Sequence, residues 1–70
     1  MTTDELRKNL AYLLNKYVSD NPKRRDDLLG KVMKMDPPPA KAVLNEIVQR
    51  DVKLDKEDEA LYSEICYECI

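Results

Sequence analysis

Residues 35–48 read MDPPPAKAVLNEIV, and the reading of this stretch decides the fold. A residue that precedes a proline is pushed out of the α region, so Asp36, Pro37 and Pro38 are expected to form a stiff, extended connector at 36–38. Pro39 then suits the first position of a helix, where its missing N–H costs nothing. Behind it, Ala40, Val43, Leu44, Ile47 and Val48 fall at offsets 0, 3, 4, 7 and 8, matching the helical template at every step. The stretch therefore predicts a rigid break followed by an amphipathic helix over about 39–50.

The same alternation of stop signal and apolar stripe continues on both sides. Upstream, Leu6, Leu10, Leu13, Leu14, Tyr17 and Val18 place one apolar stripe on a helix over about 3–18. Thr2 with Glu5 fits a capping box, and Thr3 is an alternative cap. SDNP at 19–22 ends that helix; Asp20 or Asn21 can cap the next one, and Pro22 can take its first position. This second helix, over about 22–35, carries Leu28, Leu29, Val32 and Met33, with Met35 near its end. Two features weaken it. Gly30 costs about 1 kcal/mol relative to Ala, so either the helix is weak there or a neighbouring backbone approaches closely, and Lys23, Arg24 and Arg25 crowd the end where the helix dipole disfavours cations.

Downstream of Arg50, DVKLDK breaks the period. Asp55 reads as a cap, and Glu57, Asp58 and Glu59 load the first turn of a fourth helix with acids that suit its dipole. That helix, over about 56–69, brings Leu61, Ile65 and Cys69 to one face, with Tyr62 and Cys66 beside it. Val52 and Leu54 could make a scrap of strand, but a single strand has nothing to pair with.

Composition agrees with this reading. The 70 residues are 43% hydrophobic, too apolar for a disordered chain despite 37% charged side chains. With no Phe, no Trp and one Gly, the sequence lacks the usual residues of strands and tight turns. The expected fold is all-α: one domain over 1–70, built as a compact antiparallel bundle or an irregular array of four short helices. A chain this short is near the lower size limit for unstapled folding, so a partner or a homodimer would add useful stability. It has no apolar run long enough for a signal peptide and none near the roughly 18 residues that span a bilayer, which points to a cytoplasmic protein, free of membrane contact, with reduced thiols.

Both cysteines fall in CYECI at the end of the sequence. Spacing i, i+3 sets Cys66 and Cys69 about 5 to 6 Å apart at Cβ on a helix. Two thiolates do not complete a tetrahedral zinc site, and the chain has no His, so a four-cysteine site requires two chains. A helix C-terminus near Glu64 and Glu68 disfavours the thiolate that redox chemistry needs. The expected role of the pair is packing in the last helical turn, with a thiol or disulfide switch and the shared zinc site of a homodimer as alternatives.

Charge is unevenly divided: residues 1–35 carry +3 and residues 36–70 carry −5, for a net −2. Such polarity can steer a partner or join the two halves of one fold. Lys23, Arg24, Arg25, Lys31 and Lys34 are candidate phosphate contacts, but Asp26 and Asp27 interrupt them and stacking aromatics are absent, so nucleic-acid binding is the lesser reading.

Catalytic constellations are missing. There is no His for general-base work, no glycine-rich phosphate loop and no Ser with a plausible base, so neither an enzyme nor a cofactor is expected. The leading reading is a small interaction module that binds and modulates one protein partner. Its candidate contacts are apolar residues off the four core stripes: Tyr12, Met35, Val52, Tyr67 and Ile70. In size and charge, and in lacking catalytic residues, the chain is similar to accessory proteins encoded by phages and other mobile elements. That likeness covers no motif; it implies a protein that binds and redirects one host protein.

Overall fold

The computed structural model describes residues 1–68, and the sequence expectations for Cys69 and Ile70 lie outside that range. Four helices follow one another: α1 (Thr3–Tyr17), α2 (Pro22–Lys34), α3 (Ala40–Gln49) and α4 (Lys56–Glu68). The start of α1 is a full capping box, in which the Glu5 N–H donates to Thr2 Oγ1 at 3.1 Å and the Thr2 N–H donates to Glu5 Oε1 at 3.4 Å. Of the two candidate caps for α2, Asn21 serves: its Oδ1 accepts the Arg24 N–H at 3.1 Å. Asp20 instead pairs with Arg50 at 2.8 Å. Pro22 occupies the first turn of α2, whereas Pro39 is the cap residue of α3 and the helix opens at Ala40.

The connector departs from the expected extended rod. It bends through 35–37, and the Asp36–Pro37 peptide is cis. A straight rod would carry α3 away from α2; the bend returns it antiparallel, as the 2.6 Å Arg24–Glu46 pair near the far ends of the two helices records. After α3 the chain reverses through Asp51, whose φ of 51° is a left-handed conformation that Asp tolerates better than most residues. No strand occurs among the described residues, and Leu54 packs half-buried against the core.

Helices α1 and α3 form the centre of the array. Each touches the other and both outer helices, while α2 and α4 do not meet. Leu10, Leu13, Leu14 and Val18 converge with Leu28 and Val32 of α2, with Ala40, Val43, Leu44 and Ile47 of α3, and with Ile65 of α4. Burying each large aliphatic side chain is worth about 1.5–3 kcal/mol, so α1 and α3 hold most of the hydrophobic stabilisation. In α4, Ile65 is the one apolar residue fully buried, with Leu61, Tyr62 and Cys66 half-buried around it.

Two residues assigned to core stripes are exposed instead: Met33 is 67% and Val48 58% accessible. At 3.6 residues per turn Met33 lies about 120° from the Leu28–Val32 line, and Val48 lies about 90° from the centre of the α3 stripe. In α3 the opposite flank is buried, where Glu46 meets Arg24 and Arg50. Of the two readings of Gly30, close approach of a neighbouring backbone is not what the structure shows. The helix continues through it, and a Cβ added there would have no non-local neighbour within 4 Å, so no backbone approaches it. No helix among the described residues is long and apolar enough to cross a membrane.

Candidate functional site

The N-terminal half of α1 runs antiparallel to the C-terminal half of α2, and Arg7 fixes their relation. Its Nε donates to the Val32 carbonyl at 3.1 Å and its Nη2 to the Met35 carbonyl at 2.9 Å. On one side of this clamp lies an open cleft of about 480 Å³ between the two helices, bordered by Asp4, Lys8, Ala11 and Met33. On the other lies a cleft of about 660 Å³ lined by Leu6, Met35, Pro37, Pro38, Pro39 and Ala42, with Lys41 and Glu68 at its edge. The two clefts share no lining residue and open where α1 begins and α2 ends; the first carries Met33, 67% accessible, and the second Met35, 47% accessible.

Fixed polar contacts surround this surface. The N-terminal ammonium pairs with Glu68 Oε1 at 2.7 Å, which holds the end of α4 to the start of α1 and raises the ammonium pKa through that hydrogen bond. The Thr2 hydrogen bonds hold the Glu5 carboxyl below its ordinary range.

At the opposite end of α1 a buried carboxylate locks α4 in place. Asp58 is 3% exposed; its Oδ1 accepts the Tyr12 hydroxyl at 2.8 Å, and its Oδ2 meets the Tyr17 hydroxyl and, at 2.7 Å, Lys16 Nζ. Lys16 also reaches Asp55 at 2.7 Å and sits 5.6 and 5.5 Å from the Tyr12 and Tyr17 ring centres, a cation–π arrangement. The Lys16 ammonium, then the Tyr17 hydroxyl, pull the Asp58 pKa down to about 2 against the opposing effect of burial. Bonds to Asp55, Asp58 and Tyr12 raise that of Lys16. Burial, reinforced by Asp58, raises that of Tyr17. Every donor is answered by an acceptor, and the Asp55 carboxylate, read as a cap from sequence, serves this lock while its carbonyl accepts the Glu59 N–H at 2.8 Å.

The expected contacts fall at two ends. Met35 belongs to the apolar surface, and Tyr67, 86% exposed, adjoins Glu68 at that end. Tyr12 is spent on Asp58, and Val52 borders Lys16, Tyr17 and Arg50 at the other end. Tyr12 and Tyr67 are not one patch: Asp58 and Tyr67 are nine residues apart on α4, about 13 Å along its axis. Met33 was missed because it reads as part of a stripe. Only its angular offset from Leu28 and Val32 distinguishes it.

The five candidate phosphate contacts are mostly engaged within the fold. Arg24 pairs with Glu46 and Asp27, Arg25 with Asp26, and Lys31 with Asp27. Among the described residues Lys23 and Lys34 make no ion pair, and they stand near opposite ends of α2. Cys66 is a half-buried free thiol in contact with the core cluster, and Cys69 lies outside the described residues. No group of three Cys, Asp or Glu side chains among the described residues is placed to hold a metal ion.

Comparison with family models, with curated proteins and with solved structures finds no match to this chain. Its functional reading therefore rests on its own geometry.

Proposed function

We propose that this chain is a non-enzymatic protein–protein interaction module that binds one partner protein and modulates it through the apolar surface at the α1–α2 end. The observation that carries this reading is the exposure of Met33 and Met35 in clefts beside the Arg7 clamp, the Met35 cleft being walled by the proline connector. Met is enriched at interface cores because its flexible, polarizable side chain adapts to a partner. The backbone at this surface is held by Arg7, so the ordering cost of docking falls mainly on the methionine side chains.

The reading is tested by affinity capture from nuclease-treated lysate of the cell that makes the chain, using wild type beside the M33S/M35S double variant. The wild type retains one protein in near-stoichiometric amount and the double variant loses it while its helical circular dichroism is unchanged. Retention of the same proteins by both forms, or of none by the wild type, contradicts the reading.

A further inference from the structure

We infer that α4 is a separable strap: it leaves the array as one unit, hinged at 52–55, while α1, α2 and α3 stay folded together. This goes beyond the interaction reading and does not depend on it. Apolar burial is divided unequally. Of the buried apolar residues described, Ile65 alone belongs to α4; the others lie in α1, in Val18 at its end, in α2 and in α3. Helix α2 does not meet α4, and α1, α2 and α3 each pack on the other two, so their mutual contacts survive its departure. Release of α4 uncovers Ile65 and the half-buried Leu61, Tyr62 and Cys66, whereas release of α2 or α3 opens the centre of the core.

What holds α4 is largely polar. Asp58 accepts the Tyr12 hydroxyl at 2.8 Å, meets the Tyr17 hydroxyl and pairs with Lys16 at 2.7 Å. Just before the helix, the Asp55 carboxylate pairs with Lys16 at 2.7 Å and its N–H donates to the Tyr17 hydroxyl at 3.2 Å. Every one of these partners comes from α1. When α4 leaves, water takes over each bond, so the net hold is far smaller than the number of bonds suggests. At the far end Glu68, its side chain 38% exposed, pairs with the N-terminal ammonium, and an exposed ion pair adds little. The hinge offers small resistance: 52–55 has no regular structure and follows the left-handed Asp51. Asp58 is thus the catch of the strap, and its opening uncovers the faces of α1 and α3 on which α4 rests.

The test is native-state amide hydrogen exchange of the whole chain, read by NMR at Leu61 and Ile65 in α4 and at Leu14 and Leu44 in α1 and α3. In the wild type the α4 amides are expected to be at least about tenfold less protected, and low urea to speed them less steeply, because the opening exposes less surface. Val32→Ala, on the helix that α4 does not meet, should speed Leu14 and Leu44 at least about tenfold and leave Leu61 and Ile65 unchanged. Asp58→Asn, which takes the charge from the catch, should speed Leu61 and Ile65 at least about tenfold. Acceleration of all four amides alike by Val32→Ala, or a urea slope at Ile65 as steep as that at Leu14, means that α4 unfolds only with the whole and overturns the inference. An Ile65 amide unmoved by Asp58→Asn means that α4 opens without releasing the lock, and overturns it too. Should Val32→Ala fail to fold, the wild-type urea slopes decide.

Discussion

Asp58 is buried between the two tyrosines and the lysine of α1, and its proton binding reports directly on the lock. With its pKa held near 2 against an ordinary 3.8, the unfolded chain binds the proton more readily than the folded one. Stability from this group is therefore complete above about pH 4 and is lost as pH falls toward 2. Glu46, held below 4.5 by Arg24 and then Arg50, acts in the same direction. Carboxyl-carbon NMR should find Asp58 titrating near 2, and in Lys16→Met its pKa should rise toward 3.8. An unchanged value in that variant would contradict the assigned cause. Sequence placed Asp58 among the helix-start acids, a sound local reading. Its burial was not legible, because it depends on Tyr12 and Tyr17 arriving from a helix 41 to 46 residues away.

At the scale of the helices, what was legible was local. The capping box at Thr2, Pro22 at the head of α2 and the proline break set boundaries within one residue of those observed, since caps act over a single turn. Helix rotation was not legible. Met33 and Val48 satisfy the stripe spacing but lie at its edges, and which edge is buried depends on the neighbouring helix. Gly30 belongs here too: it sits inside a regular α2 with open space around it, so its cost is purely conformational. Gly30→Ala should stabilise the chain by about 0.5–1 kcal/mol, seen as a higher denaturant midpoint at unchanged slope. A lower midpoint would mean that α2 needs the flexibility.

For the molecule as a whole, the uneven charge of the two halves acts chiefly inside the fold. The N-terminal ammonium reaches Glu68, Lys16 reaches Asp55 and Asp58, and Arg24 reaches Glu46, so the positive half is tied to the negative half in three places. Among the described residues the same accounting leaves Lys8, Lys34 and Lys41 without an ion-pair partner. Half of the methionine site was legible: Met35 reads as off-stripe, while Met33 does not, and the Met35 cleft is formed by the bent connector and the start of α3. The docking surface is tested most directly by methyl NMR of the labelled chain mixed with its captured partner. The account predicts that the Met33 and Met35 methyl signals shift or broaden while those of Val48 and Val52, exposed elsewhere, keep their positions. Movement of the valine signals with the Met33 and Met35 signals unmoved would contradict it.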